Sequence, residues 1–218
     1  ITGEKNLSDN KILDDFHNLI NVNNLNDLRL KIINEIQNDE EFRKYYFFIA
    51  KPYLEQLVGN ELAMQLRLNL SIQIPKDQNS LLPVHADTWS GDSPFETVVW
   101  LPLVDCYKTK SMFILDPKNN QNLINNFSAF SGKSSEDLFN NIKDKVKWIN
   151  IKYGEVLIFN QILPHGNRMN EEKETRWSLN CRFKGVFTPY KDKKIGEFFE
   201  PITLKASSIA GMKYKEPE

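Results

Sequence analysis

A chain of 218 residues, 40% hydrophobic and 26% charged, has the make-up of an ordinary globular protein and can bury one sizeable core. Its formal net charge of −1 gives no electrostatic footprint for nucleic acid or an anionic membrane surface, and no apolar run is long enough to span a bilayer. The two cysteines, Cys106 and Cys181, have neither CxxC spacing nor a disulfide framework, and read as reduced, packed residues of a cytoplasmic protein.

The opening "ITGEKNLSDN" lacks the basic-then-apolar pattern of a secretory signal and an initiator Met, which fits a trimmed terminus. Residues 1–62 read as helical. "LSDNKILDDFHNLINVNN" places Ile12, Leu13, Phe16, Leu19 and Ile20 on one face behind an N-cap at Ser8. "LNDLRLKIINEIQNDEEFRKYYFFIAKPYLEQLVG" continues at helical period, with a break expected near Pro52 and a stop at Gly59. The period then changes to two. In "MQLRLNLSIQIP" the residues Leu66, Leu68, Leu70, Ile72 and Ile74 share one face, and Arg67, Asn69, Ser71 and Gln73 the other. "FETVVWLPLVD", "KSMFIL", "VKWINIKYG", "EVLIFNQ" and "RWSLNCRFKGVF" read as further strands. So many short strands between residues 63 and 188 must hide their edges in a sandwich or closed barrel. Residues 117–145 form an Asn-rich, partly helical insertion with an N-cap at Ser134 or Ser135, either a lid or a loose loop. The tail 189–218 has no strong period; Phe198, Phe199 and Ile202 are its candidates for packing back, and "KDKK" at 191–194 reads as a solvated charge run.

Three histidines are present, and His17 sits among helical residues. In an extended "PVHAD", His85 and Asp87 project to one side, an imidazole and a carboxylate suited to a divalent first-row metal. Alone, this pair is also an ordinary strand patch. His165, at the end of the strand in "GEVLIFNQILPHGN", could complete a set of two histidines and one carboxylate, or merely cap its strand. Eleven residues on, Arg176, Ser178, Asn180 and Arg182 share one face of "RWSLNCRF". Arginines facing an interior need an anion, and a guanidinium beside a hydroxyl suits a carboxylate; facing outward, they would simply be solvated.

The order "HAD…HGN…RWS" resembles the Fe(II)- and 2-oxoglutarate-dependent oxygenases, in particular the phytanoyl-CoA-dioxygenase-like branch. "HADTWSGDSPFETVVWLPLVD" further resembles the StrG-like proteins of carbohydrate and aminoglycoside biosynthesis clusters. The resemblance, over residues 64–187, implies a mainly β fold with helices: a double-stranded β-helix, the cupin-like jelly roll, braced on one sheet by the N-terminal helices, in a single domain 1–218. It implies that His85, Asp87 and His165 bind Fe(II), and that Arg176 with Ser178 holds the distal carboxylate of 2-oxoglutarate. O2 would then be consumed with release of succinate and CO2, and the substrate hydroxylated. Related halogenases carry a small residue at the position of Asp87, so an aspartate argues for hydroxylation, desaturation or ring formation. Asn167 and Trp100 are further candidates for flanking the cosubstrate, against turn-shaping and packing as the plainer readings. Trp89, Arg67, Asn69, Gln73 and Arg182 are candidates for the wall of the substrate pocket, for a sugar-like or other polar small molecule. A monomer or homodimer is expected. Two other readings compete: a metal cupin that does without 2-oxoglutarate, and a non-catalytic jelly-roll module that binds sugars.

Overall fold

The period-3.6 segments fold as helices, with different breaks from those expected. The computed structural model describes residues 9–217, so the N-cap expected at Ser8 lies outside them. The first apolar face is divided between α1 (Asp9–Asp14) and short 3-10 turns at Phe16–Asn18 and Val22–Asn24, and Leu19 is exposed. Helices α2 (Leu25–Asn38) and α3 (Glu40–Leu57) are separated at Asp39, not at Pro52. Asp39 is extended, and its carboxylate accepts from Phe42 N at 3.0 Å, so it ends one helix and caps the next. Pro52 stays inside α3 on its solvent side, where the loss of one backbone donor is tolerated. Gly59 closes the helix as expected, at φ +128°.

Among the described residues nine strands follow: β1 (Leu62–Gln65), β2 (Asn69–Gln73), β3 (Glu96–Pro102), β4 (Phe113–Leu115), β5 (Val146–Trp148), β6 (Leu157–Asn160), β7 (His165–Gly166), β8 (Arg176–Gly185) and β9 (Phe199–Pro201). They form two antiparallel sheets. The larger runs β6-β3-β8-β1-β9, with β2 also paired to β8, and the smaller runs β5-β4-β7. The expected long first strand is interrupted. Leu62 pairs with Gly185 and Asn69 with Asn180, so seven steps on one strand oppose five on the other. Two residues therefore bulge out between β1 and β2. An even number preserves the alternation, so Leu68, Leu70 and Ile72 remain buried while Arg67 is expelled to solvent.

The apolar face of the large sheet packs under the helices. Trp177, Leu179, Cys181 and Phe183 of β8 join Tyr46, Phe47, Ala50 and Leu54 of α3 in one core, and Tyr46 donates its hydroxyl to Val99 O at 2.7 Å. The insertion is ordered: α4 (Pro117–Asn125) and α5 (Ser135–Ile142) bury Leu123, Leu138 and Ile142 against Phe113 and Leu115 of the small sheet. Ser134 is the N-cap, in a capping box with Asp137. The tail packs back through Phe199, fully buried, and adds β9 to the sheet edge before α6 (Ala206–Lys213). No helix among the described residues is long and apolar enough to cross a membrane.

Cys106 and Cys181 are free and buried, and burial pushes both thiols up to about 12. Thiolate is the reactive form. A disulfide-exchange reagent at pH 8 is therefore expected to label neither in the folded protein and both in 6 M guanidinium, a count read directly from absorbance.

Candidate metal and anion site

The polar face of the large sheet looks inward. β8 pairs Arg176 with Gln73, Ser178 with Ser71 and Asn180 with Asn69 on one side, and Ser178 with Pro102, Asn180 with Trp100 and Arg182 with Val98 on the other. Side chains directly opposite one another lie on the same face. Together with Phe159 of β6 and with His165 and Gly166 of β7, this face encloses a cavity of about 290 Å³.

The candidate triad is assembled at the edge of the small sheet, facing the polar face of the large one. His85 is extended and exchanges both backbone hydrogen bonds with His165, at 3.0 and 2.8 Å, so the two imidazoles come side by side with centroids 4.4 Å apart. Gly166 makes that approach possible, because a Cβ there would lie 2.7 Å from Leu82 O, on the segment leading into His85. Asp87 opens a 3-10 turn, Asp87–Ser90, directly after the extended Ala86. One ligand atom from each of His85, Asp87 and His165 lies within 4.8 Å of the others.

The hydrogen bonding decides what these groups can hold. His85 Nδ1 is 2.8 Å from Pro83 O, and His165 Nδ1 is 2.9 Å from Leu163 O. Carbonyls accept only, so each Nδ1 carries a proton, and in the neutral ring Nε2 is then the lone-pair donor. His85 Nε2 in turn lies 3.4 Å from Asp87 Oδ1. With both rings neutral, two imidazole lone pairs and a carboxylate converge, a donor set able to share a cation. Burial, and then the neighbouring His85, push His165 down to about 4, so its ring is neutral and able to ligate at physiological pH. Burial lowers His85 as well, but its bonds to Asp87 and Pro83 outweigh that and leave it above the ordinary value. Burial would raise Asp87; the His85 bond and the Arg182 guanidinium win and hold it well below the usual carboxylate range. The donor set fits a divalent first-row metal.

At the other end of the cavity lies Arg176, 3% exposed. Its Nη1 donates to Ser111 O at 3.1 Å and its Nη2 to Ser71 Oγ at 2.9 Å, but Nε has no partner, and neither has the buried hydroxyl of Ser178. No carboxylate among the described residues pairs with it. Burial lowers Arg176 only to about 10, so the cation persists at neutral pH. A buried guanidinium with no counter-charge and an orphan hydroxyl beside it is the signature of an anion site.

The remaining candidates are distributed unevenly. Asn69 and Trp100 line the cavity, and Asn69 donates to Asn180 Oδ1 at 2.9 Å. Asn167 also lines it, yet its amide is committed to Leu82 N and Ser80 O, so it ties down the loop before His85. Arg182 lines the cavity too, but it is paired to Asp87 at 3.0 Å and is not free for an outside ligand. Three candidates are not in the lining. Arg67 is exposed by the bulge, Gln73 is buried with its amide on Arg168 O at 2.6 Å, and Trp89 stands partly exposed against Phe127 of the insertion, centroids 4.9 Å apart. Ser71 and Asn180, though legible from the alternation, were not among the candidate site residues and do line it.

The turn that carries Asp87 is itself clamped. Gly91 has φ +87°, and a Cβ on it would meet Asp192 Oδ2 at 2.3 Å. Asp192 N donates to Gly91 O, and Lys191 Nζ to Thr88 O, so the "KDKK" segment wraps this turn rather than lying free in solvent. Gly91→Ala is expected to cost about 1–2 kcal/mol in urea unfolding, from left-handed strain alone; an unchanged midpoint would show that the turn relaxes without penalty.

No protein-family model matches the chain, and no curated protein sequence matches it. Solved structures do. The apo form of the non-heme monooxygenase ThoJ superposes with a TM-score of 0.52 at 13% identity, over 72% of this chain and 58% of that one. HygX from Streptomyces hygroscopicus with nickel and 2-oxoglutarate bound gives 0.47 at 15%, over 64% and 63%. The α-ketoglutarate-dependent carbocyclase SnoK from nogalamycin biosynthesis gives 0.45 at 13%, over 77% and 73%. The chain spans about three fifths of the length of the first two of these. At such identities the likeness to ThoJ shows a shared fold, with its mixture of helices and antiparallel sheets.

Proposed function

We propose that the protein is an Fe(II)- and 2-oxoglutarate-dependent oxygenase of the phytanoyl-CoA-dioxygenase-like branch, close to the StrG-like group, that hydroxylates a polar small molecule of sugar or aminoglycoside type. The observation that carries this reading is the pairing, in one cavity, of a convergent His85–Asp87–His165 donor set with a buried Arg176 that lacks a counter-ion. Two different sites are thereby offered to one bifunctional ligand. A keto acid with a second carboxylate satisfies both, its far end on Arg176 and Ser178 and its near end at the metal. The double-stranded β-helix reading of residues 63–188 within a single domain 1–218 accords with the two inward-facing sheets.

His85, Asp87 and His165 would hold the iron, and the metal would supply activation of O2, which is the oxidant. Arg176 fixes the cosubstrate's distal carboxylate and Ser178 donates to it, while Ser71 and the Ser111 carbonyl keep the guanidinium aimed. Asn69 and Asn180 present amide groups to the floor between the two ends. Phe159, against His165 at 5.0 Å, and Val98 keep bulk water from the ligand triad. Trp89, two residues on from Asp87, pairs with Phe127 outside the cavity lining, and the two would offer an aromatic surface to an approaching polyol ring.

The test is anaerobic. Fe(II) followed by 2-oxoglutarate should give a weak visible charge-transfer band, and admission of O2 should then yield succinate. Absence of the band at saturating cosubstrate would sink the assignment.

A further inference from the structure

We propose that Arg182, backed by Asp92 and behind it Lys193, is a positioning residue that fixes the orientation of the Asp87 carboxylate toward the two imidazoles; this inference rests on the metal-centre reading above. Arg182 Nη2 is 3.0 Å from Asp87 Oδ1, the same oxygen that lies 3.4 Å from His85 Nε2. A carboxylate oxygen has two lone-pair sites. The guanidinium takes one and leaves the other for a cation shared with the two imidazoles, so Arg182 fixes how the carboxylate is presented to the site.

Holding a fixed cation beside a metal site is costly unless its charge is answered elsewhere. The structure answers it. Arg182 Nε lies 3.3 Å from Asp92 Oδ1 and donates to Gln161 Oε1 at 3.1 Å, while Nη1 donates to Gln65 Oε1 at 3.2 Å. Every nitrogen of the guanidinium thus has a polar neighbour. Asp92 is 1% exposed and is neutralised on its second oxygen by Lys193 Nζ at 2.5 Å. The result is an alternating chain of charges, Lys193, Asp92, Arg182 and Asp87, that runs from the C-terminal segment to the metal site. Without Asp92, Arg182 would have Asp87 as its one counter-charge and would compete with the metal for it. Without Lys193, Asp92 would be a buried carboxylate with half its charge unanswered. The basic "KDKK" segment therefore does two jobs: its backbone wraps the Asp87 turn, and Lys193 closes the charge chain behind it.

Cobalt(II) is the probe, titrated anaerobically into the full chain and followed by calorimetry and by its visible ligand-field bands. Arg182→Ala should raise the Kd at least about tenfold and change the band pattern, the scale seen when groups that orient metal ligands are removed. Arg182→Lys, which keeps the charge and loses the fork, should fall between. Lys193→Ala should raise the Kd a few-fold and Lys193→Arg restore it; this pair carries the test if Arg182→Ala does not fold. Lys110→Met is the control: it deletes a buried cation bound to Asp14 and Glu174, and should lower Tm without moving the cobalt Kd. Wild-type affinity and bands in Arg182→Ala, or an equal shift in Lys110→Met, would overturn the inference. If the wild type itself takes up no cobalt, the metal-centre reading falls and this inference with it.

Discussion

Arg176→Met is expected to weaken 2-oxoglutarate binding at least about 100-fold while leaving metal affinity within twofold. That loss is about 2.7 kcal/mol, a reasonable size for two charge-assisted hydrogen bonds in a dry site, each contributing about 1.5–3 kcal/mol. The more telling expectation concerns stability. In the ligand-free protein Arg176 is a buried cation with an orphan Nε and no carboxylate partner, so it costs folding free energy rather than supplying it. Methionine fills similar volume without charge. The variant should therefore melt at or above the wild-type Tm, and lose the rise in Tm that 2-oxoglutarate gives the wild type. Thermal melts with and without the keto acid, beside a binding isotherm, check both halves. A variant that is strongly destabilised and still binds would show that Arg176 is structural.

Asp87→Ala is expected to reduce Fe(II) affinity by at least about 100-fold and to abolish the charge-transfer band. Two neutral imidazoles remain, but the anionic ligand that offsets the metal's charge is gone. The fold should survive, because Arg182 keeps Asp92 as its counter-ion. Asp87→Asn separates charge from shape, since it retains an oxygen near His85 and loses the anion; its affinity should lie closer to that of the alanine variant. Anaerobic Fe(II) titrations of the three proteins decide the matter, and full Fe(II) affinity in Asp87→Ala would remove Asp87 from the metal site.

The chemistry was largely legible in the residues. A period of two placed Arg176, Ser178, Asn180 and Arg182 on one face, and the structure turns that face into the cavity. Alternation says which residues travel together but not which face is wet, so Arg67, Asn69 and Gln73 could not be sorted from one strand alone. Their fates diverge for reasons of register. The two-residue bulge expels Arg67, and Gln73 at the strand end is consumed by the Arg168 carbonyl. Arg182 illustrates the same limit, because its partners Gln65, Asp92 and Gln161 lie on three separate segments.

By itself, then, the sequence determined the helix-then-strand order, the shared polar row of β8 and a candidate set of two histidines and a carboxylate, because these follow from side-chain period and ligand chemistry within short windows. Only the tertiary structure decided that His85 and His165 meet across a backbone bridge with His85 Nε2 3.4 Å from Asp87 Oδ1. It alone also left Arg176 without a counter-ion and brought Lys193 back to Asp92. Those outcomes depend on contacts between residues about 80 to 100 positions apart, which strand pairing and burial fix and no local pattern encodes.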